Sequence, residues 1–424
     1  MEKVGDFILK NVIIIGGGAS GLMAAYAAAS NGHNVTVIEK NEKLGKKIYI
    51  TGKGRCNFTN DSSPEDFLQN VVRGEKFLRG VLYAFPPQKT VNFFENHGLS
   101  VKIERGNRVF PVSDHASDVT KTLEKACKNV GVSIRLNEKV EKIIKEEYTM
   151  PDIGIMSRVV EVCTNQGKYP CDYAIVATGG ISYPSTGSTG DGYVFARAFG
   201  HTIVDTKSAL CGINLQGDDY QSLQGLALKN VGFSVKNGEK TVFSEFGEAL
   251  FTHFGVSGPV VLSASSVINR LPLPSLTIFF DLKPALDEQT LDKRILRDFD
   301  KYKNKQISNA LCDLLPQKLI SLVVKRANID ERKNVNVLTK EERLRLNKTI
   351  KNLSFKINSL RGVEEAIVTS GGVTLAEVNP KTMESKLIQG LKFCGEVLDI
   401  DAFTGGFNMQ IAFSTGFAAG NTIK

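Results

Sequence analysis

Three glycines and one glutamate raise the first chemical question. Gly16, Gly18 and Gly21 stand at GxGxxG spacing in "GGGASG", and Glu39 lies 18 residues beyond Gly21. Gly16 suits a tight turn, Gly18 lets a pyrophosphate approach the backbone, and Gly21 lets a following helix lie close to a preceding strand. A carboxylate at Glu39 accepts hydrogen bonds from ribose hydroxyls and repels a 2′-phosphate. The chemistry implied is dinucleotide binding, with NADP disfavoured at this position.

The second group lies in "KKIYITGKGRCNFTN", residues 46–60. Lys46, Lys47 and Arg55 offer positive charge for phosphates, and Gly52 and Gly54 permit close backbone approach. Cys56 has no cysteine or histidine nearby in sequence, so no metal site is expected. A small buried thiol is the expected state, with contact to a cofactor or substrate as the alternative.

These residues need elements to hold them. "NVIIIG" reads as a buried parallel strand, "LMAAYAAASNG" as a closely packed helix and "HNVTVIE" as a second strand. The helix N-terminus offers free N–H groups to phosphate. Ligands of such units bind outside the carboxyl edge of the sheet, so the chain leaving Glu39 emerges beside the dinucleotide.

The rest of the chain favours FAD over NAD as the dinucleotide. Residues 117–130 read as an amphipathic helix with Gly131 as C-cap. Three β-rich runs follow, with a hairpin turn at "NQGK", and the last run ends in Thr178, Gly179 and Gly180. Strand, helix, meander and an "ATGG" strand end fit the FAD half of a two-dinucleotide-fold flavoprotein. Near the C-terminus an apolar strand meets Gly395 and Glu396, and "TGGFN" precedes a helix of small residues. Glu396, in preference to Asp399 or Asp401, suits the ribityl hydroxyls. The helix start points a positive dipole end at the flavin pyrimidine.

The chain has 424 residues, 42% hydrophobic and 23% charged, as in a soluble globular protein of two or three domains. Seven scattered cysteines without a CxxC pair favour a reducing, cytoplasmic setting. No apolar run approaches the roughly 18 residues of a membrane helix. The net charge is +8; residues 291–360 hold 17 Lys+Arg against 8 Asp+Glu, and the remainder is close to neutral. A solvated helical face is the expected reading of that segment rather than a nucleic-acid surface, because acids are interleaved and aromatics are few. Nothing in the sequence specifies an oligomeric state.

"GRCNFTN", "ATGGISYPSTGSTGDGY", "GEALFTHFGVSGPVVL", "TSGGV" and "FCGEVLDIDAFTGGFNMQIAFSTG", with the glycine loop, resemble the BaiN/YhiN-like flavoproteins, also described as aminoacetone-oxidase-like or NAD(P)/FAD-dependent oxidoreductases. The resemblance spans nearly the whole chain. It implies an α/β fold: a Rossmann-type, glutathione-reductase-like FAD-binding domain carrying an inserted β-barrel and helical bundle. The expected domains are 1–200 with 363–424 for FAD, 201–284 for the barrel and 285–362 for the basic helical part. Carried over by residue, it places FAD against Gly16, Gly18, Ala19, Ser20, Gly21, Glu39, Lys40, Lys46, Thr51, Gly52, Gly54, Arg55, Cys56, Asn57, Val140, Thr178, Gly179, Gly180, Gly395, Glu396, Gly406, Phe407 and Asn408. Some members are linked to reduction of carbon–carbon double bonds in steroid-like bile acid intermediates.

Residues 201–283 read independently as β-rich and 287–303 and 316–326 as helices; Thr339 and Glu342 have capping-box spacing. Two side chains are candidate proton donors: His253 in "ALFTHF" and Tyr183 in "GGISYPSTG". No second GxGxxG opens a strand–helix unit, so NAD(P)H is expected to visit the flavin's open face and leave before substrate enters. The expected reaction is hydride transfer through flavin N5 to a double bond of a hydrophobic enone. The alternatives are an oxidase or dehydrogenase of a small amine or other metabolite, and a nucleic-acid-associated flavoprotein that uses the basic segment.

Overall fold

A computed structural model describes residues 8–150 and 154–424. The first seven residues of the expected FAD domain lie outside the described residues. The chain divides into two compact units, Met1–Ser208 with Val363–Lys424, and Ala209–Gly362.

The first unit is built on a five-stranded parallel sheet. Its order is Leu391–Phe393, Tyr173–Val176, Asn11–Ile15 (β1), Asn34–Ile38 (β2) and Ser133–Arg135. β1 is central, with Val12 facing Val35 on one side and Tyr173 on the other. Its apolar residues are buried on both faces, which is why "VIII" shows no polar alternation. Helix α1, Ala19–Ser30, crosses the C-terminal helix Phe407–Asn421 at close range. A methyl group on Gly416 would overlap the Ser20 carbonyl, and one on Gly420 the Ala24 carbonyl. The small residues of both helices therefore serve backbone approach as well as burial.

Helix Ala116–Asn129 and the antiparallel strands Val140–Met150, Gly154–Thr164 and Lys168–Pro170 lie where the sequence places an amphipathic helix and a meander. Strand Val368–Val373 pairs with Ile203–Ala209. The expected barrel start at 201 thus includes a strand that belongs to the first unit's pairing, because its partner comes from the returning C-terminal chain.

The second unit is a closed six-stranded barrel, in the order Ile213–Leu215, Gly255–Ser257, Lys240–Thr252, Ala227–Asn237, Leu276–Asp281 and Leu353–Leu360. Phe251, Phe280 and Phe355 meet inside it, with ring centroids 5.5–6.1 Å apart. Helices Glu288–Lys301, Gln317–Arg326 and Lys340–Lys351 enter between the fifth and sixth strands and share the barrel's apolar core. The last strand lies inside the segment read from sequence as helical. Only barrel closure gives it its partners, Leu276–Asp281 and Ile213–Leu215. The capping box at Thr339 and Glu342 is present, with both reciprocal hydrogen bonds.

Candidate functional site

The glycine loop sits between β1 and α1 at the carboxyl edge of the sheet. Gly16 has φ +108°, a conformation that a side chain would strain, and its added Cβ would meet the Ala177 carbonyl oxygen at 2.6 Å. A Cβ on Gly21 would overlap the Gly16 carbonyl. Gly18 differs from both: a Cβ there meets no protein atom within 4 Å. Its φ of −84° is ordinary, and it caps α1 without any side-chain hydrogen bond. Open space therefore faces an uncapped helix start, the arrangement a phosphate fills.

Glu39 is buried and turned toward this loop. Its Oε2 accepts the Gly17 N–H at 2.8 Å, and its Oε1 accepts from the Asn41 backbone at 2.8 Å and side chain at 2.7 Å. The carboxylate is oriented by these bonds and retains lone pairs for a ribose.

The C-terminal chain joins the same edge. Gly395 has φ +76° and packs so tightly on Ser20 that a Cβ would overlap Ser20 Oγ. Its N–H donates to Thr415 Oγ1 at 3.0 Å. Glu396 is thereby brought beside the start of α1. Lys47 Nζ donates to Glu396 Oε2 at 2.6 Å and to Ser182 Oγ at 2.6 Å. Ser182 Oγ donates to Glu396 Oε1 at 2.7 Å, and the Thr369 N–H does so at 2.8 Å. Burial pushes the Glu396 carboxyl up, but Lys47, Ser182 and the Thr369 amide together outweigh it and hold it below the usual range. Sequence reasoning did not single out Ser182 or Thr369. Thr369 lies in "TSGGV", and its Oγ1 accepts from the Ile181 and Ser182 N–H groups at 2.9 and 3.1 Å.

The cationic loop is organised differently from the expectation of phosphate contacts. Arg55 pairs with Glu104 and with Asp114, and its guanidinium lies 4.3 Å from the Phe110 ring centroid. Lys46 pairs with Glu42 at 2.8 Å, and Lys40 with Asp191 at 2.6 Å. Each of these cations is already balanced by a carboxylate. Gly52 and Gly54 both take positive φ, +61° and +87°; a Cβ on Gly52 would meet the Asn57 backbone nitrogen at 3.1 Å, and one on Gly54 would meet nothing closer than 4.0 Å. Thr51 Oγ1 donates to the Lys47 carbonyl at 3.0 Å. Cys56 is fully buried, which pushes its thiol far up and keeps it protonated.

At the far end of the edge, Gly406 opens helix Phe407–Asn421 with φ +97° and no side-chain cap. Asn57 Oδ1 stands 2.9 Å from where its Cβ would be, and that buried oxygen has no hydrogen-bond partner. Thr178 Oγ1, which stands 2.3 Å from where a Cβ on Gly192 would be, is a second buried oxygen without a partner among the described residues. Gly179 has φ +73°, and a Cβ on Gly180 would overlap Thr369 Oγ1. Phe407 packs edge-on against Phe67, Asn408 bonds the backbone of Ala402 and Phe403, and Val140 is buried in the core. An open glycine cradle, two uncapped helix starts and unsatisfied buried oxygens are the features an extended, polar dinucleotide requires, so the residues present fit FAD.

Tyr183 follows Ser182 directly, half-buried and at φ +51°, a left-handed conformation rare for tyrosine. Its N–H donates to the Val363 carbonyl at 2.9 Å. His253 belongs to the second unit. It is exposed on the turn between two barrel strands, with its ring edge-on to Phe254 at 5.1 Å. Among the described residues, no group of three His, Cys, Asp or Glu side chains is placed to hold a metal ion, and no helix is long and apolar enough to cross a membrane.

Comparison with known proteins identifies this arrangement. The family model of the HI0933-like protein Rossmann domain matches residues 10–422. The chain belongs to this family. HI0933-like relatives are similar along their whole length. A 3-dehydro-bile acid delta(4,6)-reductase of Clostridium scindens is 31% identical over 97% of this chain and 98% of its own. A ribosomal RNA dihydrouridine synthase of Escherichia coli is 30% identical over 96% of each. Among solved structures, a 3-ketosteroid-delta4-(5alpha)-dehydrogenase from Rhodococcus jostii RHA1 superposes with a TM-score of 0.52 at 15% identity, covering 99% of this chain and 98% of that one. That likeness shows the shared flavoprotein fold. This HI0933-like chain is an FAD-dependent oxidoreductase, as its motifs implied.

Proposed function

We propose that the protein reduces a carbon–carbon double bond conjugated to a carbonyl, with NAD(P)H as the electron source. One observation carries this reading: the full-length relatives bear names that describe the same kind of bond. A 4-ene beside a 3-oxo group is an enone, and the C5=C6 bond of uracil is conjugated to its C4 carbonyl. A hydride delivered to the β-carbon leaves negative charge on the carbonyl side, so a proton must reach the α-carbon.

FAD, when bound, supplies the hydride through N5. The chain's own residues have the remaining tasks. Gly18 and the start of α1 bind the pyrophosphate. Glu39 orients the adenosine ribose. Glu396, fixed by Lys47, Ser182 and the Thr369 amide, orients the ribityl chain. The uncapped helix start at Gly406 favours negative charge on the flavin pyrimidine. Tyr183 and His253 are the candidate donors of the proton to the α-carbon.

A hydrophobic, steroid-like enone is the first substrate reading, supported by the bile-acid reductase relative. A uracil ring in RNA is the second, favoured by the dihydrouridine synthase relatives and by the cationic segment 291–360. The experiment is a visible spectrum of the purified protein under anaerobic conditions. NADH or NADPH is expected to bleach the flavin, and an enone is expected to restore its colour. A flavin that stays oxidised with both nucleotides rejects NAD(P)H as donor. Reduction by a small amine followed by reoxidation with oxygen would replace the reductase reading with an oxidase.

A further inference from the structure

The helical segment of the second unit carries a groove that its apolar core does not explain. Asn304, Lys305, Gln306, Asn309, Gln317 and Asn334 line it. Two backbone hydrogen bonds assemble it: Ile307 N–H to the Lys333 carbonyl at 2.9 Å, and Val335 N–H to the Lys305 carbonyl at 3.0 Å. They set Gln306 opposite Asn334, 28 positions away in sequence. Helix Gln317–Arg326 adds Gln317 at its first residue. All five amides are exposed, and none of their side chains has a hydrogen-bond partner among the described residues.

The rim is cationic. Residues 301–310 hold three lysines and no acid. Lys301 is taken by Asp313 at 2.6 Å. Lys303 and Lys305 have no carboxylate partner among the described residues; Lys305 lies 4.8 Å from the Tyr302 ring centroid. Elsewhere in the segment Arg294, Lys333 and Arg343 are bound to Asp298, Glu342 and Asp292. The solvated-face reading suits those pairs; what sets the side chains of the five amides and Lys305 apart is that they gather in one groove without a protein hydrogen-bond partner among the described residues.

The side-chain types select the ligand. An amide presents a donor and an acceptor together, as a nucleobase edge does. The carboxylates of an acidic peptide only accept, so pairing with the amide oxygens would fall to its backbone N–H groups alone. Lysines match phosphates without reading sequence. A concave, amide-lined wall suits an unstacked base rather than a duplex. We propose that this groove docks single-stranded RNA. The choice of RNA over DNA rests on the uracil reading above; the groove itself does not.

The test is fluorescence anisotropy of the oxidised holoenzyme with a labelled 15-nucleotide single-stranded RNA, without NAD(P)H, so no turnover is involved. Binding at low salt is expected to weaken about tenfold or more between 50 and 200 mM salt. Lys303→Glu with Lys305→Glu is expected to weaken it by about tenfold. Asn304→Ala with Gln317→Ala is expected to weaken it about threefold or more with the salt slope unchanged. Lys121→Glu with Lys125→Glu, an equal charge change on the exposed face of helix Ala116–Asn129 in the first unit, controls for net charge and is expected to have under half the effect. No binding at 50 mM salt overturns the proposal, as does equal weakening by the groove and control variants. Tighter binding of the matching DNA overturns the choice of RNA. Binding that depends on the groove without any reduction of uridine would sink the uracil reading and leave the groove standing; uridine reduction with a silent groove would do the reverse.

Discussion

The glycine loop at residues 16–21 and the cationic loop at residues 46–57 both read as ligand-facing, and they reached different ends. The glycine loop keeps its opening: Gly18 faces empty space beside an uncapped helix. In the cationic loop three of the four cations already have carboxylate partners: Arg55 on Glu104 and Asp114, Lys47 on Glu396 and Lys46 on Glu42. A site made of backbone is specified by residues adjacent in sequence. A site made of charge depends on what the fold places opposite, here 349 residues away for Lys47 and Glu396.

The largest effects should separate two glycines three positions apart. Gly21→Ala drives a methyl into the Gly16 carbonyl and is expected to cost about 3 kcal/mol or to prevent folding, measured by thermal unfolding of the apoprotein. Gly18→Ala meets no protein atom, so the apoprotein should unfold within a degree or two of the parent while FAD affinity falls by about tenfold or more. Equal loss of apoprotein stability in both variants would erase the distinction between packing glycine and cradle glycine.

Lys392 tests a cation with no carboxylate within bonding distance among the described residues. It is fully buried on strand Leu391–Phe393 and donates to the Ala419 carbonyl and Thr422 Oγ1 at 3.0 and 2.9 Å. Burial pushes its pKa down to about 8. Because the unfolded lysine titrates near 10.5, the unfolded state binds more protons between those values. Stability is therefore expected to rise from pH 8 to 10.5, by about 3 kcal/mol at most. Denaturant titrations that give a flat profile for the parent, or the same slope in Lys392→Met, would count against this.

The Lys47–Glu396 pair should come next. Glu396→Gln leaves Lys47 without its partner and is expected to cost about 2 kcal/mol, both side chains being at least three-quarters buried. The Glu396 pKa is depressed in the folded state, so its contribution is present above the unfolded value of 4.5 and is lost as pH falls through the lower folded value. The parent should therefore lose stability on acidification below about pH 4.5 more steeply than the variant.

The smallest effect belongs to Arg55, where the two loops are compared most directly. With its charge committed to Glu104 and Asp114, Arg55→Gln should leave FAD affinity within about twofold. A tenfold loss in a fluorescence titration would return Arg55 to the phosphates.

Much of the first unit was legible because its signals are periodic and local. "NVIIIG" reads as a strand because unbroken β-branched residues suit burial on both faces, and Gly131 reads as a helix end because glycine takes positive φ without strain, as it does here at +84°. The sixth barrel strand, Leu353–Leu360, was not legible. It follows directly on helix Lys340–Lys351, and only barrel closure supplies its neighbours. Ser182 and Thr369 were missed because neither is unusual until Glu396 lies between them. Asn408 reads as a ligand contact beside a helix start; that its side-chain amide also bonds the backbone of residues 402–403 is set by the fold and has no local signal.

By itself the sequence determined the turn at Gly16, the opening at Gly18, the close packing at Gly21 and the carboxylate at Glu39, because backbone torsions and strand-to-helix turns are decided by adjacent residues. Only the tertiary structure decided that Lys47 would meet Glu396 across 349 positions, that Gly395 would seat on Ser20, and that five amides would share one groove. Those outcomes depend on which distant surfaces are buried together, and no local pattern encodes that.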